Sequence, residues 1–199
     1  MDKKSLLIGV VVGLVLGHIV TFAAFGGFGM NTNVVGRNQM MGNIDQHFIE
    51  QMIPHHEGAI TMAELALQKA QHPEMKELAQ NIIKAQQGEI TDMKSWYKNW
   101  FGADVPVAGG HMMNGHMVGG NMHMDSMSGD IDALKNAKDF DLEFIREMIP
   151  HHEMAVMMAT MLKASTNRPE MKTLADNIIT SQTKEIEMMR GWEKAWSSQ

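Results

Sequence analysis

The chain has no cysteine, which excludes disulfides, thiolate metal centres and cysteine nucleophiles. Positive charge is in deficit. Lys and Arg number 17 against 23 Asp and Glu, for a net charge of −6, and no basic stripe is present, so no nucleic-acid partner is expected. Aromatic residues are few, with one Tyr and seven Phe among 199 residues. No alternating apolar pattern marks a strand. Methionine and histidine are abundant instead, at 22 and 10 residues. Methionine fills irregular cores, but it is also a soft thioether ligand, so the setting of each methionine decides how it is read.

Lys3 and Lys4 precede a stretch from Ser5 to Met30 without formal charge. Its apolar centre, Leu6 to Phe25, spans about 20 residues, enough to cross a bilayer core of roughly 30 Å. Lysines on the N-terminal flank hold that end in the cytoplasm. The expectation is a cytoplasmic N-terminus (1–4), a transmembrane signal anchor (5–28) and a glycine-rich tether (29–42), with everything beyond it outside the cytoplasm. Cleavage near Ala23-Ala24 would instead release a secreted protein. Gly9, Gly13 and Gly17 fall on one helix face. Glycine is common in membrane helices, and this spacing also permits a close helix–helix contact and hence a homodimer.

Residues 45–100 align without a gap to residues 141–196, with Pro54 on Pro150, a shift of 96 residues. The same shift pairs His55-His56-Glu57 with His151-His152-Glu153, Pro73-Glu74-Met75-Lys76 with Pro169-Glu170-Met171-Lys172, and Trp96 and Trp100 with Trp192 and Trp196. About half of the aligned positions are identical, which marks an internal duplication. Each copy reads as a helical hairpin. Phe48, Ile49, Met52, Ile53, Ile60, Ala63 and Leu67 keep the helical period, with Asp45 as N-cap. Pro73-Glu74 opens the second helix, and Gly102 follows its end. Two hairpins, each with an apolar face it cannot bury alone, make an all-α antiparallel four-helix bundle over 43–198: hairpin 1 over 43–102, a Gly/Met/His-rich loop over 103–130 and hairpin 2 over 131–198.

A His-His pair inside an amphipathic helix points two imidazoles about 100° apart. His55 and His56 both fall within the broad apolar face, as do His151 and His152. A buried ring needs a hydrogen bond or a metal ion. Met52 precedes His55 by three residues, as Met148 precedes His151, the spacing that brings side chains together on one face. The hairpin sets the level of His55 opposite Gln86 and Glu89, repeated as Gln182 and Glu185, so an imidazole–carboxylate contact can fix the ring tautomer. Pro54 and Pro150 interrupt the helix hydrogen bonding just before each pair. Glu57 and Glu153 lie at the stripe's edge, suited equally to solvent and to a ligand role.

From His111 to Met127 the sequence runs HMMNGHMVGGNMHMDSM. Methionines within a helix, such as Met62, Met75, Met93, Met157 and Met161, read as core. A Gly/Asn/Ser loop has little core to fill, so His111, Met112, Met113, His116, Met117, Met122, His123, Met124 and Met127 read as ligands. Thioethers favour Cu(I) and, by softness, Ag(I), while imidazole accepts either oxidation state of copper.

The pattern from Asp45 through Met52-Ile53-Pro54-His55-His56-Glu57 to Gln86, Glu89-Ile90, Met93 and Trp96, repeated from Asp141 to Trp192, resembles the family called domain of unknown function 305. The resemblance implies a ferritin-like four-helix bundle, and some members are envelope or secreted copper-binding proteins associated with copper resistance. Carried over by position, it implies His55, His56, Met52, His151, His152 and Met148 as ligands. The Glu-x-x-His motif of ferritin-like di-iron sites is missing, since Glu50 and Glu147 precede His55 and His151 by five and four residues.

These readings converge on a membrane-anchored extracytoplasmic protein that binds copper ions, with Cu(I) favoured, for buffering, resistance or handover to an exporter or another copper-handling protein. It is not expected to be an enzyme. Two alternatives stay open: a metal-dependent redox enzyme of cuprous oxidase or peroxidase type, and a metal-free structural bundle.

Overall fold

The computed structural model describes residues 34–106 and 131–197, with side chains from residue 44 onward. The expected anchor, its glycines Gly9, Gly13 and Gly17, and the ligand candidates between His111 and Met127 lie outside these residues. Among those described, no helix is long and apolar enough to cross a membrane.

Five helices account for nearly all of the described chain: α1 (Val34–Lys69), α2 (Pro73–Phe101), α3 (Ile131–Asn136), α4 (Phe140–Ser165) and α5 (Pro169–Trp196). Local chemistry sets several of their ends. Proline opens α2 and α5 at a position whose N–H has no helical partner, with Glu74 and Glu170 at the positive end of the dipole. Asp139 caps α4 by accepting the Leu142 N–H at 3.1 Å. At Gly102 the backbone takes φ 71°, and its N–H closes α2 on the Lys98 carbonyl at 3.0 Å. Both α1 and α4 continue through Pro54 and Pro150.

The helices pair as α1 with α2 and α4 with α5, and α1 packs against α4. Contacts at the two ends show that α1 and α4 run antiparallel. Phe48, Ile49 and Met52 share a cluster with Ala155, Ala159 and Leu162, while Met62 and Ala66 share another with Phe144 and Met148. α2 therefore ends beside the N-terminal half of α1, where the Tyr97 hydroxyl donates to Glu50 at 2.6 Å. α4 begins at the opposite end, where Asp141 meets the turn after α1. The end of α2 and the start of α4 thus lie at opposite ends of the helical bundle.

Asp45 is not an N-cap, because α1 begins eleven residues earlier, at Val34, within the stretch read as tether. It and its repeat Asp141 are buried and serve the turn of the opposite hairpin. Asp141 accepts from the backbone N–H of Gln71 and His72 and contacts His72 Nδ1 at 2.6 Å. Asp45 accepts from Arg168 Nε at 3.1 Å. His72 and Arg168, equivalent under the duplication, are covered in turn by equivalent tryptophans: His72 stacks on Trp196 at 3.8 Å, and Arg168 lies 3.9 Å above Trp100. Each hairpin thus locks the other's turn. Asp141→Ala would strand two backbone donors at about 1–3 kcal/mol each, so a loss of at least about 2 kcal/mol in urea unfolding is expected. An unchanged midpoint would show that the turn is held otherwise.

Candidate metal centre

Halfway along the bundle the apolar core is interrupted. One buried cluster joins the C-terminal half of α1 to the N-terminal half of α4, and the other joins their remaining halves. Between them lie His55, His56, His151, His152, Gln86 and Gln182, each at most 3% exposed. The antiparallel crossing of α1 and α4 brings His55 against His151, with ring centroids 3.7 Å apart and planes tilted by 39°. His56 and His152 point to the flanking helices, each ring centroid 6.3 Å from that of its neighbour. Met52 and Met148, one turn before the central pair and fully buried, place one thioether in each apolar half.

The outer rings are held by carboxylates. His56 Nε2 lies 2.6 Å from Glu89 Oε2, and His152 Nε2 lies 2.7 Å from Glu185 Oε2. An ionised carboxylate only accepts, so each ring donates Nε2–H to it, and the neutral form of such a ring has its lone pair on Nδ1. Among the described residues no protein group hydrogen-bonds to Nδ1 of His56 or His152, to either nitrogen of His55, or to Oε1 of Gln86 and Gln182. A carboxylate behind an imidazole is the arrangement found around metal-bound histidine.

Burial pushes the pKa of His55 down from 6.5 to about 2, with further depression from the neighbouring His151, His56 and His152. The ring is therefore neutral at physiological pH and needs to shed no proton before it can act as a ligand.

Glu57 and Glu153 do not belong to this layer. They are about half exposed and pair with Lys94 and Arg190 on the neighbouring helix. Such solvated pairs contribute about 0–1 kcal/mol. Lys94→Ala is accordingly expected to leave the unfolding midpoint within experimental error, and a loss above about 1 kcal/mol would mark the pair as structural. Met62, Met75 and Met93 are fully buried, as their helical spacing predicts. Met157 and Met161 are not core: they are 56% and 65% exposed, because α4 turns that face away from its neighbours.

Sequence reasoning missed three participants. Tyr97 is buried and anchors Glu50, and His72 and Arg168 cap their turns against aspartate. The 96-residue shift held a signal for the last two, since it aligns His72 with Arg168 and Asp45 with Asp141.

An antiparallel bundle of two like hairpins around a buried histidine layer defines the class of protein. Residues 45–197 match the family model described as a domain of unknown function, DUF305, and the chain belongs to that family. Solved structures of CopM in the Cu(II)-bound and Cu(I)-bound forms are similar to it at 55% and 52% identity. Each covers 76% of this chain, with 97% and 96% of their own lengths and TM-scores of 0.67 and 0.65. A DUF305 fragment from Deinococcus radiodurans is 25% identical, with 76% of this chain and 96% of that one covered and a TM-score of 0.62. The mimivirus protein L153, from Acanthamoeba polyphaga mimivirus, is 43% identical over 51 residues. The chain spans about a third of that relative's length, 34%, through 26% of its own.

Proposed function

We propose that this chain is an extracytoplasmic copper-binding protein, held at the membrane by its N-terminal segment, that takes up Cu(I) and also accepts Ag(I) and Cu(II). The observation that carries the reading is the buried layer of four imidazoles, two of them held at Nε2 by glutamate with Nδ1 left without a partner among the described residues. The likeness to CopM, solved in Cu(I)-, Cu(II)- and Ag-bound forms, supports the same cargo. His55, His56, His151 and His152 with Met52 and Met148 form the inner donor set. The loop donors His111, Met112, Met113, His116, Met117, Met122, His123, Met124 and Met127 take the ion first, and Gln86, Glu89, Gln182 and Glu185 orient the inner rings. The ion is then buffered, or handed to an exporter or another copper-handling protein, and Gly9, Gly13 and Gly17 offer a face for a homodimer.

Binding without turnover is the expected behaviour. Rings at most 3% exposed support holding an ion over turning over a substrate at it. Titration of the full chain with Cu(I) against a competing chelator tests the proposal. Stoichiometric uptake is expected. Replacing the four layer histidines by alanine should remove the inner site, and replacing the six loop methionines by leucine should remove the outer one. A chain that fails to compete for Cu(I) would be a metal-free bundle, and sustained oxygen consumption with Cu(I) would make it an enzyme.

A further inference from the structure

Hairpin 2 carries methionines that hairpin 1 lacks. Met154, Met157, Met158 and Met161 follow i, i+3, i+4, i+7 spacing along α4, so they share one helix face. The duplication aligns them with Gly58, Thr61, Met62 and Leu65, so three of the four thioethers are particular to this copy. Two of them, Met158 and Met161, line a groove of about 220 Å³ between the N-terminal half of α1 and the end of α4, together with His47, Ile44, Phe48 and Leu162.

The equivalent face of hairpin 1 is covered. There α3 lays Leu134, fully buried, into the cluster of Phe140, Phe144 and Ala66, with Leu65 packed against it, and Lys69 Nζ donates to the Lys135 carbonyl at 2.6 Å. The two halves also differ in residue type. Where the covered face has Glu143 and Leu65, the open groove has His47 and Met161. Among the described residues, an apolar lid on one side is thus matched by an imidazole and a thioether on the side without one.

His47 is accessible for such a role. Its side chain is 66% exposed, and its Nδ1 lies 3.7 Å from Glu50 Oε2. Glu50 is itself fixed by Tyr97 at 2.6 Å and Gln46 at 2.9 Å. At that distance the carboxylate is no hydrogen-bond partner, and the exposed ring is free to turn either nitrogen to the groove. A neutral set of one imidazole and two thioethers favours a soft monovalent ion over Zn, Mg or Ca.

We propose that this groove is a second, surface site for a soft monovalent cation, held by the His47 imidazole and the Met158 and Met161 thioethers. The inference takes its cargo from the copper reading above, but it uses none of the same residues.

The test is NMR of the full-length chain in detergent, labelled at methionine methyl carbons and imidazole nitrogens, during titration with Ag(I), which does not change oxidation state in air. Met158→Leu and Met161→Leu assign the two resonances and, at partly exposed positions, keep the fold. Expected are saturable shifts of both methyls and of His47, loss of one Ag(I) per chain in the double variant, and affinity at these methyls weakened about tenfold or more by His47→Gln. If both methyls stay still while other methionine or layer histidine signals move, the groove site is overturned and the copper reading stands. If no methionine or histidine signal responds to Ag(I), both fall. Shifts that follow protein concentration instead of Ag(I) would put a second copy in the groove and overturn the site.

Discussion

Replacing His55 and His151 together by leucine is expected to make the metal-free bundle more stable and to abolish its stabilisation by Cu(I) or Ag(I). Among the described residues neither nitrogen of the buried His55 ring makes a hydrogen bond of good geometry, and an unsatisfied buried polar group costs about 1–3 kcal/mol on protein scales. Leucine is close in volume and would join the apolar clusters above and below, so roughly 1–3 kcal/mol should be regained, from the His55 position. An ion that binds only the folded chain stabilises it by about 4 kcal/mol at a thousandfold excess over its Kd. For a bundle of this size that is a rise of roughly 10 °C in Tm, and the variant should lose it. Thermal scans with and without Ag(I) check both halves. A variant that is less stable when metal-free would mean that the rings hold the bundle together, and an intact Ag(I) shift would put the ion elsewhere.

The opposing signs follow from how the core is divided. A continuous apolar seam along α1 and α4 would be the more stable bundle, yet the crossing point carries four imidazoles and two glutamines. Polar groups at this position weaken the fold, and an ion that engages their lone pairs reverses that cost. The carboxylates carry the orientation. Glu89→Gln should leave the fold intact, because the amide still reaches His56 Nε2. It should nevertheless weaken Cu(I) binding about 10–100-fold, the usual effect of losing the partner behind a metal-bound histidine. Competition titration of the variant reads this directly, and unchanged affinity would separate the His56–Glu89 contact from binding.

Much of this arrangement was legible in the residues. The hairpins follow from apolar period and the Pro-Glu helix starts, and the level of Glu89 follows from counting back through the turn. Periodicity does not show how the two hairpins dock, because it gives a face without a crossing point. The antiparallel meeting of His55 with His151 is a tertiary fact of this kind. Asp45 shows the same limit from the other side: an aspartate before an apolar helical run looks like a cap, but the helix already passes through it and its carboxylate reaches Arg168 of the other hairpin. Met157 and Met161 were misassigned to the core because a methionine stripe carries no mark of which side it faces.

Acid should destabilise the metal-free protein well above the carboxylate range. The His55 pKa falls from 6.5 in the unfolded chain to about 2 in the bundle, chiefly through burial. Below pH 6.5 the unfolded chain therefore binds a proton that the folded chain does not, and stability drops as pH falls towards the folded value. Each unit contributes at most about 1.4 kcal/mol, so between neutral pH and pH 5 this ring alone accounts for about 2 kcal/mol. Urea midpoints across that range should decline accordingly, and His55→Leu should flatten the slope. Bound Cu(I) should protect the fold over the same interval until protons displace it from the imidazoles, with release steepening as pH falls. A midpoint independent of pH from 7 to 5 would mean that the ring is hydrated and titrates normally in the folded chain. The two helices would then not meet as a dry pair at His55 and His151, and the inner site would lose its physical basis.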